Sequence, residues 1–355
     1  MTALDSSVAY LGTTPPVSLS FPNNDEKRLN NEMVQFMISR DDIYESISGQ
    51  SGRTKVIAKL SFILINWASD VGRAKCIPDA ICSIGGGILL KIFGSTRLGV
   101  HTPDADIDSL CIAPSFIDRA DFFSSFCTLM KKRHDVRMLS AIPDAYTPVL
   151  KFNIDDIAID MVFVSLSVPS IPAEVDVLNS RFLRGIDDQG IRSLNGCRVA
   201  EWICRLVPNF PSFCTTLRFI KHWARQRGLY SNVLGFLGGI NFAIMVAFVC
   251  QRYPNALPAT LVKKFFLMFT QWRWPNPIML TSIEELPLTE TDGRHLPVWN
   301  PKLYPKDGCH LMPIITPAFP AMNSSYNVGL PQYRLIQVMI MNPFLDGTLL
   351  QILSY

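Results

Sequence analysis

The part of the sequence that most constrains the fold is a Gly-Ser turn followed by an acidic strand. The turn is Phe93-Gly94-Ser95, and the extended run after it begins at Asp106 and includes Asp108. A turn that opens into a helix presents unpaired N–H groups and the positive helix end to an anion, usually a phosphate. Alternation sends both aspartates to one face of a strand, where their like charges repel and predict a bound divalent cation. Mg²⁺ suits such a pair because it prefers carboxylate oxygens and keeps positions open for phosphates. Together the two features predict a nucleotidyltransferase site.

A third candidate carboxylate lies in the apolar run 157–163. Two-metal phosphoryl transfer requires a further carboxylate on the side of the attacking hydroxyl. Alternation places Asp160 among apolar side chains, where a lone carboxylate is costly and a metal ion would relieve the cost. Asp155 and Asp156 stand at the start of the run and are predicted to be turn residues. Any single aspartate could be a helix cap or a surface charge, but three joined to a phosphate-binding turn favour a metal centre.

The Gly-Ser turn and the first two aspartates belong to a series of six sequence blocks along the chain. They are FGSTRLGVHT (93–102), ADIDSL (105–110), RSLNGCRV (192–199), IKHWAR (220–225), YSNVLGFLGG (230–239) and HLMPIITPAFP (310–320), and TPPVS (14–18) precedes them. In these blocks the chain resembles the nuclear poly(A) polymerases of eukaryotes, a branch of the DNA polymerase beta-like nucleotidyltransferases. The resemblance implies template-independent addition of AMP from ATP to RNA 3′ ends, with two ions of Mg²⁺ or Mn²⁺.

The resemblance also implies roles for individual residues. Asp106 and Asp108 would hold the ion on the triphosphate, and both of them with Asp160 would hold the ion at the RNA 3′-hydroxyl. The other positions implied in binding are Phe93, Gly94 and Ser95 at the turn, Tyr146 and Lys151 near the adenine, Asn195 near the primer end or nucleotide sugar, Lys221 at the triphosphate, Tyr230 and Asn232 near the nucleotide, and Gly238, Gly239 and Ile240 along its base and sugar. On pattern alone, residues 216–227 are an ordinary amphipathic helix with a basic face, and the two glycines mark only a tight turn or helix contact. Aromatic rings stack on every base, so the tyrosine at 146 cannot by itself select ATP.

The hydrophobic periodicity divides the chain into a mixed α/β part and a helical part. Strands are predicted at 88–93, 107–112, 149–154 and 157–164, with helices at 25–48 (capped by Asp25), 53–68 and 119–132. The predicted fold class is α/β plus α: a mixed-sheet, polymerase beta-like nucleotidyltransferase domain with a helical central domain. We predict a flexible N-terminal segment at 1–22, a catalytic domain at 53–170, a helical central domain formed by 23–52 and 171–340, and a divergent end at 341–355. ATP is expected to bind in the cleft between the domains.

The sequence departs from the family pattern in a few places. Thr96 replaces the aromatic residue that usually follows Gly-Ser, and Gly308-Cys309 replaces a larger polar-aromatic pair. The pattern is expected to end after Val328, whereas family members continue into an RNA-binding domain of ferredoxin-like topology. A two-domain fragment or a short paralogue without that domain is therefore expected.

Composition limits the function without deciding it. A chain of 355 residues can form two domains, and its net charge of +3 is too small to indicate nucleic-acid binding over the whole surface, so RNA contacts are expected from local patches. The nine cysteines lack metal-ligand spacing and are expected to be reduced thiols of an intracellular protein. The sequence lacks a signal-peptide pattern, and the apolar run 234–250 predicts a buried helix rather than a membrane span.

The predicted function is mRNA polyadenylation in the nucleus, with the RNA 3′ end (pre-mRNA), ATP and 3′-end processing factors as partners and no membrane association. The nucleus is implied by the resemblance, since no clear localisation signal is present. Another RNA terminal nucleotidyltransferase, such as a uridylyltransferase, stays open because the metal chemistry does not depend on the base. A truncated, non-catalytic paralogue that acts by binding also stays open, although the presence of all three aspartates argues against it.

Overall fold

Two compact units make up the chain in the computed structural model, which describes residues 10–78, 87–172, 174–286 and 293–345. The first, here called the sheet unit, comprises Tyr44–Glu201 and Glu285–Pro297. The second, the helical unit, comprises Met1–Ile43, Trp202–Glu284 and Val298–Tyr355. Residues 44–52 and 171–201 thus group with the sheet, whereas the sequence predicted them in the helical domain. The strand start predicted near 88 adjoins residues 79–86, and the last ten residues of the predicted divergent end also lie outside the described residues.

The helices and strands are numbered here in chain order. The helices are α1 (Asn24–Ile38), α2 (Ile47–Ala74), α3 (Gly94–Arg97), α4 (Arg119–Asp121, continued by Phe122–Phe126 and Cys127–Lys131), α5 (Asp188–Leu206), α6 (Phe210–Gln226), α7 (Gly239–Arg252), α8 (Pro258–Thr270), α9 (Pro305–Gly308) and α10 (Leu330–Leu345), with a 3₁₀ turn at Ser180–Leu183. The strands are β1 (Leu89–Ile92), β2 (Ile107–Ala113), β3 (Val136–Ile142), β4 (Val149–Ile154) and β5 (Ile157–Ser165).

The sheet unit is built around a five-stranded mixed sheet in the order β1-β2-β5-β4-β3. The pair β2 and β5 is parallel, and the other neighbours are antiparallel. Asp155 and Asp156 both have positive φ and connect β4 to β5, which confirms that they are turn residues. The mixed α/β prediction is confirmed, but β3 was not predicted. It is an edge strand whose side chains are mostly exposed, so its sequence lacks the apolar run that marks the central strands.

Aromatic side chains pack α2 and α4 against this sheet. Trp67 of α2 lies with its ring centroid 5.0 Å from that of Phe126, and Phe122 stacks on Phe163 of β5 at the same distance. The middle of α4 is a π-helical turn, Phe122–Phe126, and both terminal phenylalanines of this turn are fully buried. Each such burial contributes roughly 1.5–3 kcal/mol, so this cluster fixes the helices that support the central strands.

The helical unit has α7 at its centre. Every residue of α7 from Asn241 to Gln251 is buried, which explains why the sequence is apolar on all faces and confirms the prediction of a buried helix. Within the described residues, no helix combines the length and the hydrophobicity needed to cross a membrane. The cap predicted at Asp25 is wrong: Asn23 and Glu26 form a capping box, and α1 ends at Ile38 rather than near residue 48.

Part of the predicted flexible segment is hydrogen-bonded to the helical unit. The N–H of Val17 donates to the carbonyl of Arg252 (2.8 Å), and Asn255 Nδ2 donates to the carbonyl of Leu19 (2.7 Å). Arg252 also donates to the carbonyl of Pro15. These bonds hold residues 15–19 along the end of α7, while residues 1–9 lie outside the described residues.

Candidate active site

A row of charged side chains crosses the centre of the sheet. In the parallel pair β2 and β5, Asp108 is in register with Asp160, and in the antiparallel pair β4 and β5, Lys151 is in register with Asp160. In-register residues lie side by side on the same face, so the three side chains form one row. Lys151 Nζ forms an ion pair with Asp160 Oδ2. The sequence suggested both residues separately, but their pairing depends on strand register and was not predicted.

Asp106 lies immediately before β2, outside the strand ladder. The alternation of side chains along a strand therefore does not determine the direction of the Asp106 side chain. Asp106 nevertheless lies next to the strand that carries Asp108. Burial raises the pKa of Asp106, and the charge of Asp160 raises it further, while the charges of Lys151 and Arg53 oppose the rise. The two carboxylates are thus close enough for their charges to interact, and negative charge is costly at this point of the sheet unit.

The donor chemistry of the three aspartates fits a divalent cation. Carboxylate oxygens are the ligands that Mg²⁺ and Mn²⁺ prefer. A bound cation would offset the cost of burying the Asp106 charge and its repulsion by Asp160, the two effects that raise the pKa of Asp106. Among the described residues, no group of three or more His, Cys, Asp or Glu side chains is already arranged to hold a metal ion. Asp160 is paired instead with Lys151. Metal coordination by Asp106, Asp108 and Asp160 stays a prediction.

The Gly-Ser turn lies directly against Asp108. The N–H of Phe93 donates to the carbonyl of Asp108 (3.0 Å), and the single-turn helix α3 begins at the next residue. Gly94 has a φ of +60°, and a Cβ at this position would lie only 1.9 Å from Asp108 Oδ2. Only glycine allows this backbone conformation and this approach together. Ser95 follows within α3, so the predicted phosphate turn and the predicted metal ligand are contiguous.

Helix α5 supports the turn from a second side. The ring of Phe93 packs against Gly196, where an added Cβ would meet the ring at 2.8 Å. Arg97 Nη2, at the end of α3, donates to Glu201 Oε2 of α5 (2.8 Å). Asn195 Oδ1 is buried and has no hydrogen-bond partner among the described residues, which makes it available to a ligand.

Tyr146 is exposed in the loop between β3 and β4, and the Arg192 guanidinium of α5 lies 4.3 Å from its ring centroid. This cation–π contact connects the predicted adenine-contacting tyrosine to the helix that carries Asn195. The contact was not predicted, because nothing in the local sequence of either residue indicates it.

In the helical unit, the predicted nucleotide contacts gather at the start of α7. Tyr230 stacks on Phe242 with ring planes 5° apart, and a Cβ added to Gly239 would lie 2.7 Å from Tyr230 Oη. Gly238 is the N-cap of α7 and adjoins the side chain of Asn232. Ile240 follows in the first turn of the helix. These five residues therefore lie close together, and their contact with a nucleotide stays a prediction.

Lys221 lies on α6 and is 95 % buried, with a relative exposure of 5 %. Arg225, one turn further along the same helix, has its guanidinium 5.1 Å from the ring centroid of Tyr230. Helix α6 thus approaches the start of α7 through this arginine. Burial of Lys221 does not by itself show what its ammonium group binds, so its role at a triphosphate stays a prediction.

Family models of known proteins match two long segments of the chain. Residues 12–207 match the family model of the poly(A) polymerase nucleotidyltransferase domain, and residues 212–343 match that of the poly(A) polymerase central domain. The second match extends past Val328, where the sequence pattern was expected to end.

The chain is similar to nuclear poly(A) polymerase 2 of Arabidopsis thaliana (44 % identity over 332 residues, 93 % of this chain and 40 % of the relative). It is also similar to the poly(A) polymerase of Dictyostelium discoideum (41 % identity over 330 residues, 92 % of this chain and 39 % of the relative). The chain therefore spans about two fifths of the length of these relatives.

Solved structures confirm the fold. A structure of the Cid1 poly(U) polymerase with Mg 3′-dATP bound has a TM-score of 0.61 at 12 % identity, with 91 % of this chain and 95 % of that chain covered. A cytoplasmic RNA terminal U-transferase gives a TM-score of 0.56 at 12 % identity, with 89 % and 92 % covered. At this identity the likeness concerns the fold alone, and it confirms the predicted nucleotidyltransferase class with a helical central domain.

Proposed function

Because the chain belongs to the poly(A) polymerase family, we propose that it is a polynucleotide adenylyltransferase that adds AMP from ATP to RNA 3′ ends without a template. The observation that supports this most is the register that sets Asp108 beside Asp160, with the Gly94 backbone against Asp108. Carboxylates on adjacent strands and a helix-opening turn are the parts that metal-assisted phosphoryl transfer requires. The relatives that are nuclear poly(A) polymerases support the nucleus as its location. Pre-mRNA as its substrate and 3′-end processing factors as its partners are part of the proposal through the family resemblance.

In the proposed reaction, the 3′-hydroxyl oxygen of the RNA attacks the α-phosphorus of ATP. A bond forms between these two atoms as the hydroxyl proton passes to solvent, the bond from the α-phosphorus to the oxygen that bridges it to the β-phosphorus breaks, and pyrophosphate leaves. Asp106, Asp108 and Asp160 would hold the divalent cations, which when bound supply charge neutralisation on the triphosphate and a lower pKa for the attacking hydroxyl. Lys151 supplies a positive charge at Asp160 that partly balances the carboxylates.

The remaining residues would bind and orient the two substrates. The N–H groups of Gly94 and Ser95 would donate to triphosphate oxygens, because the first N–H groups of a helix lack intrahelical acceptors. Lys221 would add a charge-assisted hydrogen bond to the same group. Phe93 would act as part of the same turn. The residues that would contact the base, the sugar or the primer end are Tyr146, Lys151, Asn195, Tyr230, Asn232, Gly238, Gly239 and Ile240.

The test is a primer-extension assay with oligo(A) and each nucleoside triphosphate in turn, in Mg²⁺ or Mn²⁺. We expect AMP transfer from ATP, and its loss in Asp160→Asn, because several kcal/mol of transition-state stabilisation depend on the metal-binding carboxylates. Asp156→Asn is the matched control. Asp156 lies four residues earlier in an exposed turn, and asparagine tolerates its positive φ.

Transfer from UTP in preference to ATP would support the uridylyltransferase alternative instead. A folded wild-type chain that transfers no nucleotide would support the non-catalytic alternative. Full activity in Asp160→Asn would show that the metal-binding carboxylates are assigned to the wrong residues.

A further inference from the structure

A buried ionic cluster lies beside the segment that leads to Asp106. Arg53 of α2 and Glu45 have side-chain exposures of 6 % and 8 %, and Arg53 Nε donates to Glu45 Oε2 (2.7 Å). His101 Nε2 lies 3.0 Å from the same carboxylate oxygen. The cluster thus joins the second turn of α2, and Glu45 two residues before that helix, to the loop between α3 and β2.

The free end of the guanidinium holds the backbone of that loop. Arg53 Nη2 donates to the carbonyl of Pro103 (3.1 Å) and, at 3.4 Å, to that of Thr102. The N–H of Ala105 donates to the carbonyl of Thr102 (3.0 Å), so the held carbonyl also closes the turn that immediately precedes Asp106. One side chain, contributed by a helix far away in sequence, therefore fixes the end of the loop from which Asp106 projects.

Stability alone is a weak explanation for this cluster. Removing two charges from water costs several kcal/mol per ion, and apolar replacements of buried ion pairs are often neutral or stabilising. Arg53 Nη1 is in addition buried and has no hydrogen-bond partner in the part of the chain that the structure describes, a further cost of roughly 1–3 kcal/mol. An arrangement this costly is better explained by what it holds in place.

We propose that Arg53, oriented by Glu45, is a positioning residue for the divalent cation. It fixes the Thr102–Pro103 backbone and thereby the carboxylate of Asp106. The inference rests on the proposed function, in which Asp106 is a metal ligand. Residues that orient metal ligands from outside the coordination sphere typically change metal affinity or activity by about 10- to 100-fold when they are replaced.

The direct test measures Mn²⁺ binding to the full chain, without ATP or RNA, from the electron paramagnetic resonance signal of free Mn²⁺. In Arg53→Lys we expect the affinity for Mn²⁺ to fall by roughly 10- to 100-fold. Lysine keeps the charge, but its compact ammonium cannot reproduce the planar fork that joins Glu45 to the loop carbonyls. In parallel, the Mg²⁺ concentration that gives half-maximal AMP transfer should rise.

Lys59→Gln is the matched control. Lys59 lies six residues further along α2 and pairs with Asp135 (3.2 Å) and Asp155 (2.5 Å). Both aspartates belong to the segments around β3 and β4 rather than to the loop before β2. Its loss should lower the midpoint of thermal unfolding while leaving Mn²⁺ affinity unchanged. Equal losses of Mn²⁺ affinity in the two variants would mean a general loss of stability and would overturn the proposal.

Asp106→Asn separates failure of this inference from failure of the proposed function. If Asp106→Asn weakens Mn²⁺ binding and Arg53→Lys does not, Arg53 is not a positioning residue. If Asp106→Asn has no effect, the metal-binding role of Asp106 fails, and the role of Arg53 fails with it. Should Arg53→Lys not fold, the isosteric Glu45→Gln decides: weaker Mn²⁺ binding supports the proposal, and unchanged binding overturns it.

Discussion

The contact between Gly94 and Asp108 makes Gly94→Ala the most direct test of the active-site geometry. The new methyl group would lie 1.9 Å from Asp108 Oδ2. To restore an ordinary contact of 3.4 Å, the carboxylate and the turn must separate by about 1.5 Å. The left-handed φ of +60° also costs an alanine about 1–2 kcal/mol of conformational free energy relative to its preferred φ.

These two effects act on different observables. The backbone strain should lower the free energy of unfolding by about 1–2 kcal/mol. The displacement should lower kcat by at least about 100-fold, since a misplacement of about 1 Å in a catalytic group can cost that much. Thermal unfolding measures the first effect, and extension of an oligo(A) primer at saturating ATP and Mg²⁺ measures the second.

Gly293→Ala is the control for strain without displacement. Gly293 has a φ of +75°, and an added Cβ would have no neighbour within 4 Å among the described residues. This variant should lose only the roughly 1–2 kcal/mol of backbone strain and keep its kcat. A folded Gly94→Ala protein with a kcat within about threefold of wild type would refute the reasoning, because a metal-binding Asp108 could not tolerate such a displacement.

Two further predictions concern charged residues. The hydrogen bond from Arg133 is the main cause that lowers the pKa of Asp135 from 3.8 to about 2, so the stability it contributes is present above about pH 4 and lost as the pH falls towards 2. Asp135→Asn should therefore lose less stability than wild type over this range, measured as the change in Tm, and equal losses in both proteins would contradict the prediction. Lys221→Ala should raise the Kd of ATP by roughly 10- to 100-fold, as expected for a lost hydrogen bond between charged groups. Isothermal titration calorimetry measures this Kd, and Lys264→Ala, which removes a lysine over the Tyr253 ring, is the control. An unchanged Kd in Lys221→Ala would refute the role of Lys221 at the triphosphate.

The sequence predicted the central strands well because their signals are local. Strands β2, β4 and β5 are apolar runs bounded by turn residues, and the turn at Asp155-Asp156 was found from its composition alone. Strand β3 carries no such signal. Met138 is 82 % exposed and has a φ of +53° where the pairing of β3 with β4 is irregular. The apolar residues of β3 therefore neither alternate with polar ones nor form a buried run.

The same division between local and long-range signals holds for the residues of the candidate site. Asp106, Asp108 and Asp160 were identified from spacing and resemblance, because each stands in a short motif. The Lys151–Asp160 pair and the approach of Gly94 to Asp108 depend on which strands are neighbours and in what register. Register joins residues that are distant in sequence, so no local pattern could have indicated these contacts.

The group at the start of α7 provides the last test, which uses rescue rather than loss. Gly239→Ala would place a methyl group 2.7 Å from Tyr230 Oη, while the next atom of the ring, Cζ, is at an ordinary 3.8 Å. Stacking on Phe242 restrains the ring, so the clash should lower stability by about 1–3 kcal/mol and shift the hydroxyl that is proposed to approach ATP. Adding Tyr230→Phe removes the one atom that is too close, and the double variant should regain most of the lost stability. Gly238→Ala meets Asn232 Cβ at 3.3 Å instead, so the same phenylalanine should not rescue it. A double-mutant cycle on urea unfolding and ATP binding checks both statements. If Tyr230→Phe rescued neither glycine variant, Tyr230 Oη would not be the group that requires glycine at 239.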